Sequence, residues 1–522
     1  MKLKSALAAL LLASSALACA QLRLPNTFSD HAVVQRERPI RVYGWALPGE
    51  QVSIAFHQQN VKATADVYGY WETTLAPEAA GGPYTLTASG DEAGDTPVTR
   101  QDILIGDVWL ASGQSNMEMP LRGFPSGNAV VKDAEKEIAS ATHPRIRLLV
   151  QTRRGSTYPL EETDNTWTEC TPDTVRTFSA IGYFFAREIE ADQHVPIGVI
   201  DATGGGTPVE AWTSLDMAAE LGYRYEMFDR LDGARLHAQA AATAERKARL
   251  SAADKAGHAP ATTDLPHDLQ GVNRDDWAIG SLYNGMIAPY ARLAVRGVLW
   301  YQGETDTNAL MAPEYRYSFP ALIEDWRSHF GEPTLPFLFV QLAGFTGGEG
   351  WPVVRDAQRR TEAERRATGM AVALDVGMEH NIHPADKQTV AHRLALLARE
   401  QAYGEKLDGH SPALRRTAVE GSAMRVYFDH AEHLKSSTNG LGNWELQGED
   451  GRFHAATARI ERSGKEDTVV VESKDVKLPR AVRYAWRAWA TSFVYNDAGL
   501  PLGTFTSLGY ATRPQPQYPA LP

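Results

Sequence analysis

Cysteine is almost absent from this chain of 522 residues, which has two, Cys19 and Cys170. Cys19 lies in an N-terminal segment that we expect to be removed, so Cys170 would have no partner for an internal disulfide. Packed cores must therefore stabilise the protein. A composition of 43% hydrophobic and 22% charged residues is sufficient for such cores and excludes a disordered chain. The length suggests about three domains.

Long hydrophobic runs are absent beyond the N-terminus. Two lysines precede an apolar run over residues 6–17 and a small-residue cleavage site. This pattern predicts a signal peptide over residues 1–20, with a mature chain from Gln21 that is secreted or periplasmic. A lipoprotein attached at Cys19 is the weaker alternative. No stretch reaches the ~20 apolar residues that a membrane helix needs, so we expect no membrane span.

An excess of basic charge is also missing. The formal net charge is −12, and the sequence contains no basic run. An acidic chain of this kind has no electrostatic attraction for nucleic acid or for an anionic membrane surface. We therefore expect neither as a partner.

The hydrophobic pattern predicts an α/β protein with three parts. Residues 21–100 contain short alternating runs separated by turn signals, which are typical of a small β-sandwich. Residues 101–404 alternate apolar strand-like runs with helical patterns, which indicates a parallel sheet. Within them, residues 217–259 are rich in alanine and charge and predict a helical insertion. Residues 405–522 return to a β pattern.

The first chemical signal is a serine after a buried strand. The sequence Gly113-Gln114-Ser115-Asn116 directly follows the apolar run that ends near Leu110. Reactive groups of parallel sheets lie just past the C-terminal ends of strands, where a serine on a tight turn can project its hydroxyl and use its own N–H to bind an oxyanion. A simple turn or helix cap is the alternative.

Two further strand-like runs end in polar loops. Gly204-Gly205-Gly206 exposes backbone N–H groups, which suits an oxyanion-hole loop, a phosphate cradle or a flexible turn. In the second loop, Gln302 carries a side-chain donor for an oxyanion. In the same loop, Glu304 and Asp306 could instead be the paired carboxylates of a glycoside hydrolase.

The fourth loop contains a histidine before a proline. His383 follows a strand-like run and precedes a helical pattern, and its ordinary pKa near ~6.5 suits a general base. His380 and His383 could alternatively be metal ligands, although no further ligand cluster is visible. Together the four loops contain a nucleophile, oxyanion donors and a base, as in a serine hydrolase.

These motifs together resemble the sialate O-acetylesterases of the SGNH hydrolase superfamily. The resemblance rests on the segments 113–118, 205–212, 300–304 and 382–384, with supporting stretches at 282–289, 355–358, 482–486 and 495–501. The segments occur in the family's order across nearly the whole mature chain.

The resemblance implies a flavodoxin-like α/β/α core and an esterase without metal or cofactor. Ser115 would be the nucleophile and His383 the general base of a reaction through an acetyl-enzyme. The oxyanion hole would use the N–H groups of Ser115 and of Gly205 or Gly206, with Gln302. The substrate pocket would include four side chains, those of Gln114, Asn116, Glu304 and Arg355.

Departures from the family pattern leave the third member of a triad open. His380 stands where the superfamily usually has an aspartate, and Gly204 stands where family members often have tryptophan. Asp375 is our candidate, with Glu379 and a dyad oriented by a backbone carbonyl as alternatives.

The expected partner is an O-acetylated carbohydrate. It could be sialic acid, xylan or another plant polysaccharide, and the oligomeric state stays open. A carbohydrate-binding protein without catalysis is the remaining alternative. It would use aromatic side chains such as Trp71, Trp444 and Trp486, although these residues are also typical of a β-sandwich core.

Overall fold

The computed structural model describes residues 22–92, 96–125, 129–221, 276–462 and 464–509. Within these ranges the chain forms an α/β core between two β-rich regions, as the sequence predicts. The predicted signal peptide lies outside the described residues, and so does residue 222 onward of the predicted helical insertion.

The N-terminal region is built from short strands that lead into one long strand. The strands are β1 (Val33–Gln35), β2 (Ile40–Trp45), β3 (Gln51–Phe56), β4 (Gln59–Thr64), β5 (Tyr70–Leu75), β6 (Gly81–Gly90) and β7 (Val98–Gly113). The first half of β7 pairs with β1 and β6, and its second half lies in the central sheet. The boundary expected near residues 100 and 101 therefore falls inside a single strand, which joins the two parts through backbone hydrogen bonds.

The central sheet places its strands in the order β13-β12-β11-β7-β10-β8-β9. Its further strands are β8 (His143–Val150), β9 (Thr168–Cys170), β10 (Ile197–Thr203), β11 (Gly297–Tyr301), β12 (Phe337–Gln341) and β13 (Thr368–Val372). All neighbours are parallel except β9, which is antiparallel to β8. Strands β10 to β13 are buried along their whole length, because helices cover both faces of the sheet.

Eight α-helices accompany the sheet in the described part of the chain. They are α1 (Ser115–Glu118), α2 (Ala134–Ser140), α3 (Pro172–Val175), α4 (Ala180–Gln193), α5 (Leu215–Glu220), α6 (Tyr315–His329), α7 (Gly350–Glu364) and α8 (Lys387–Gln401). Helices α4 and α8 pack on each other and on the sheet, and α6 packs on α7. Ser179 caps α4 and Asp386 caps α8 through side-chain acceptors. The three layers confirm the expected flavodoxin-like arrangement.

The C-terminal region is an antiparallel β domain. Its strands are β14 (Ala413–Glu420), β15 (Ala423–Asp429), β16 (Lys435–Ser436), β17 (Trp444–Gln447), β18 (Phe453–Glu461), β19 (Thr468–Glu472), β20 (Ala481–Tyr484), β21 (Val494–Tyr495) and β22 (Phe505–Thr506). Seven of them form one sheet in the order β14-β15-β19-β18-β17-β20-β22. Trp71 and Trp444 are buried core residues of the two β regions, so they have no exposed face for a sugar.

Helices of membrane-spanning length and apolarity do not occur among the described residues.

Arg355 on α7 fastens the core to the C-terminal domain. Its guanidinium is fully buried and donates to the backbone oxygens of Leu342, Ala343, Arg487 and Ala488. The prediction that Arg355 lines a substrate pocket is therefore wrong. The Arg355 side chain donates its hydrogen bonds to carbonyl groups that would otherwise be buried without a donor.

We predict that Arg355→Met lowers the free energy of unfolding by about 2–4 kcal/mol, because several buried carbonyls lose their donor. Urea unfolding followed by circular dichroism measures this effect. Arg366→Met is the control, since the Arg366 side chain is exposed and its loss should cost less than about 0.5 kcal/mol. Equal stability of the two variants would contradict the structural role.

Candidate active site

Three of the predicted loops meet where neighbouring parallel strands end. Gly113 at the end of β7 is in register with Thr203 at the end of β10 and with Tyr301 at the end of β11. Backbone hydrogen bonds join the loops beyond these ends, from Gly204 N to Gly113 O at 3.0 Å and from Gln114 N to Tyr301 O at 2.9 Å. The serine loop, the glycine loop and the Gln302 loop therefore form one edge of the sheet, as the sequence predicts.

The turn before Ser115 requires glycine. Gly113 has φ of 130°, and a Cβ at this position would lie 2.2 Å from the carbonyl oxygen of Tyr301. Only a residue without a side chain adopts this backbone and allows the close approach of β11. The turn places Ser115 at the first position of the short helix α1.

His383 is the closest functional partner of Ser115. Its Nε2 lies 2.9 Å from Ser115 Oγ, although the two residues are 268 positions apart in the chain. The His383 ring also packs edge-on against Phe124, with ring centroids 5.2 Å apart. This is the contact between nucleophile and base that a serine hydrolase needs.

The environment of His383 keeps its imidazole neutral. Burial, followed by the positive charge of Lys387, lowers the pKa of His383 from 6.5 to about 4. A neutral imidazole can accept the serine proton, whereas an imidazolium cannot. The site is therefore ready for general-base chemistry well below neutral pH.

The serine and glycine loops supply backbone donors beside Ser115. Within the described chain, the N–H groups of Ser115 and Gly206 have no acceptor. The N–H of Gly205 donates to Glu118 Oε2 at 2.6 Å, so the Glu118 carboxylate is bound to one of the four expected oxyanion donors. A Cβ on Gly205 would lie 2.6 Å from Glu118 Oε2 and 3.2 Å from Ser115 Cβ, which explains why glycine stands there.

Gln302 is not free to bind an oxyanion. Its Nε2 donates to Thr207 O at 3.0 Å and to the carboxylate of Asp306, and its Oε1 accepts from Tyr315. The side chain is fully buried. The prediction of Gln302 as an oxyanion donor is therefore wrong. Gln302 instead joins the glycine loop to the end of β11.

Gln114, Asn116 and Glu304 lie beneath the Ser115 turn rather than in a substrate pocket, because all three are buried. Gln114 Oε1 accepts from the N–H groups of Gly303 and Thr305, at 3.3 Å each. Asn116 Nδ2 donates to Glu304 Oε1 at 2.6 Å. The prediction that these side chains line the pocket is corrected accordingly, since their polar atoms are used to hold the loops together.

The Asp375 carboxylate is bound by partners other than the Ser115–His383 pair. Both of its oxygens accept from Arg393, at 2.7 and 2.8 Å, and one also accepts from Tyr495. The hydrogen bonds of the described residues connect His383 Nδ1 to neither Asp375 nor Glu379. The prediction of Asp375 as the third member is therefore corrected. Among the described residues, Ser115 and His383 form a dyad.

The carboxylates of the Gln302 loop do not form a glycosidase pair. Asp306 is buried, and its carboxylate accepts from the Gln302 side chain and from Val209 N. Burial raises the pKa of Asp306 well above the usual range. Glu304 is buried against Asn116, and burial raises its pKa as well. Neither has an open face toward a sugar.

Two residues near the dyad were missed by the sequence prediction. Lys387, fully buried at the start of α8, contacts Asn116, and Glu118 contacts the glycine loop. Both lie within four positions of a predicted catalytic residue. A lysine on the buried side of the helix that follows His383 was the available signal for the first.

Comparison with known proteins gives the family. A model for carbohydrate esterases, described as sialic acid-specific acetylesterases, matches residues 267–398. The chain is 30% identical to the human sialate O-acetylesterase over 517 residues, covering 90% of this chain and 88% of the human protein. The chain belongs to the sialate O-acetylesterase family.

Other relatives of this esterase agree with the assignment. The sialate O-acetylesterase of Pongo abelii is 28% identical over 527 residues, covering 90% of this chain and 88% of that protein. A crystal structure of a carbohydrate acetylesterase from Xanthomonas citri is 34% identical and superimposes with a TM-score of 0.77, covering 93% of this chain and 99% of that one. The chain is therefore an enzyme of the carbohydrate O-acetylesterase class, which excludes a purely sugar-binding protein.

We predict that kcat/KM for an acetyl ester stays nearly constant from neutral pH down to about pH 5, because His383 remains neutral above its lowered pKa. The rate should fall by about tenfold per pH unit below that pKa, as the imidazole becomes protonated. Initial rates between pH 3.5 and 8 in buffers of constant ionic strength measure this. A midpoint near the ordinary histidine value of ~6.5 would contradict the environment described for His383.

Proposed function

We propose that this esterase hydrolyses O-acetyl groups on carbohydrates by acyl transfer through Ser115. His383 Nε2 takes the proton of Ser115 Oγ while the oxygen attacks the acetyl carbonyl carbon. The tetrahedral intermediate collapses, the sugar oxygen leaves with the proton from His383, and Ser115 carries the acetyl group. Water, deprotonated by His383, then attacks the acetyl-enzyme and releases acetate and free Ser115.

The 2.9 Å contact between Ser115 Oγ and His383 Nε2 carries this proposal. The lowered pKa of His383 keeps the imidazole in the neutral form, which is the form that can accept the Ser115 proton. The N–H groups of Ser115 and Gly206, which have no acceptor among the described residues, are the candidate donors to the oxyanion, since both belong to the loops that meet at Ser115. Gly205 would join them if the Glu118 carboxylate moved away.

The acetylated sugar of the human relative is a sialic acid, as its name states. A neutral acetylated polysaccharide such as xylan is the second candidate, and the burial of Arg355 favours it. Arg355 is consumed by backbone carbonyls, and Arg153, which contacts Gly205 O, pairs with Asp276 at 2.7 Å. Arg355 is therefore not available to bind the carboxylate of a sialic acid, and the charge of Arg153 is partly neutralised by Asp276.

We predict that Ser115→Ala lowers acetate release by about 10⁴–10⁶-fold, because the acyl acceptor is lost. The assay is enzymatic detection of acetate from 9-O-acetyl sialic acid and from acetylated xylan. The substrate class that yields acetate with the wild type, and not with the variant, is the substrate class of the enzyme.

The control is Ser140→Ala, a serine at the end of α2. This variant should keep the wild-type rate. Undiminished acetate release by Ser115→Ala would contradict the proposed nucleophile, whichever sugar is hydrolysed.

We also propose that the enzyme is exported and that residues 1–20 are its signal peptide. Support comes from the two lysines, the apolar run and the small-residue site that precede Gln21. Expression of the full chain in a bacterium, followed by N-terminal sequencing of the extracytoplasmic fraction, should give a chain that begins at Gln21. A cytoplasmic protein that retains residues 1–20 would contradict this proposal.

A further inference from the structure

A buried polar cluster lies directly beneath the Ser115–His383 dyad. Its members are Lys387, Asn116 and Glu304, and each side chain is at least nine-tenths buried. The Asn116 amide is the centre of the cluster. Its Oδ1 accepts from Lys387 Nζ at 2.5 Å, and its Nδ2 donates to Glu304 Oε1 at 2.6 Å.

Asn116 also connects the two loops that carry the reacting groups. It is the chain neighbour of Ser115, and its Nδ2 donates to the backbone oxygen of Ile382 at 2.9 Å. Ile382 is the chain neighbour of His383. The orientation of this one amide therefore affects the positions of both members of the dyad, and an amide has no intrinsic preference for either orientation of its oxygen and nitrogen.

Lys387, Glu304 and the Ile382 carbonyl together fix that orientation. An ammonium group only donates, so it selects the Asn116 oxygen, and a carboxylate only accepts, so it selects the nitrogen. Reversal of the amide would place two donors together and two acceptors together in a site without water contact. Such a mismatch is costly for buried groups.

Burial of the Lys387 ammonium group costs free energy, and a purely structural role does not require a charged residue at this position. Burial lowers its pKa from 10.5 to about 7, and Glu304, which raises that pKa, offsets the cost only in part. Its other neighbour is the ring of Tyr301, whose centroid is 5.7 Å from Nζ. The carboxylate of the neighbouring Asp386, which caps α8, accepts hydrogen bonds from Thr389.

We propose that Lys387 is a positioning residue of the esterase, which orients the Ser115 and His383 loops through Asn116 and places its positive charge beside the base. This inference rests on the proposed acyl transfer through Ser115. Lys387 does not contact the reacting atoms, so its effect should appear in kcat and in the pH profile rather than in substrate binding.

The test compares three substitutions of Lys387 with p-nitrophenyl acetate as the substrate. Lys387→Met removes the charge and the hydrogen bond to Asn116. We expect kcat to fall by about tenfold to 10²-fold, because small misplacements of reacting groups cost that much, with KM changed less than about twofold. The acidic limb of kcat/KM should move up by about one pH unit, since His383 loses a neighbouring cation.

Lys387→Gln and Lys387→Arg separate the two effects and guard against a variant that fails to fold. Lys387→Gln keeps a donor for Asn116 without the charge, so kcat should recover relative to Lys387→Met while the acidic limb stays moved up. Lys387→Arg keeps a positive charge but replaces the ammonium with a larger, planar guanidinium. The acidic limb of kcat/KM should therefore stay at the wild-type pH, while kcat falls.

Arg393→Met is the matched control on the same helix. It also removes a buried cation, the partner of Asp375, and should lower stability without moving the acidic limb. A wild-type kcat and acidic limb in folded Lys387→Met would overturn the proposal. Loss of thermal stability alone, as in Arg393→Met, would do the same. The Ser115→Ala result is independent of these outcomes, so failure of the proposed function is distinguishable.

Discussion

The hydrogen bond between Ser115 and His383 is the contact that the rest of the structure has to maintain. The two side chains are 268 residues apart in the chain, with Ser115 at the first position of the four-residue helix α1 and His383 in a loop before α8. The distance of 2.9 Å is therefore maintained by the surrounding packing. The parallel sheet brings the loops to one edge, and buried polar side chains then fix each loop relative to the next.

These polar side chains form a layer between the sheet and the dyad. Gln114 orders the turn after β11, Gln302 joins that turn to the glycine loop, and Asn116 joins the Ser115 turn to the His383 loop. Each group is buried and satisfied mainly by partners from another loop. Buried networks of this kind specify a single arrangement, because any alternative leaves a polar atom without a partner.

The sequence was sufficient to predict the fold class, and it singled out Ser115 and His383, whose side chains the structure brings into contact. Apolar runs that end in polar loops indicate the C-terminal edge of a parallel sheet, and Ser115 and His383 each follow such a run. The burial of a polar side chain was not predictable in the same way. Arg355 and Gln302 were expected at the substrate, and both are consumed by distant backbone oxygens that local sequence does not reveal.

The charge partners of the site illustrate the same limit. Asp375 follows the strand before His383 and was a reasonable third member by position, yet Arg393 on α8 holds both of its oxygens. Lys387 is the first residue of the same helix, four positions after His383, and it donates to Asn116 instead. Which of two cations on a helix faces the site depends on how that helix rotates against the sheet.

The central claim is that Ser115 carries the acetyl group between the two half-reactions. Its most direct measurement is acid quenching of the wild type during turnover of p-nitrophenyl acetate, followed by peptide mass mapping. The account predicts one acetyl group on the peptide that contains Ser115, and its absence from His383→Ala, in which the serine is not activated. An acetyl group on another residue, or a burst of nitrophenol without any acetylated peptide, would contradict it.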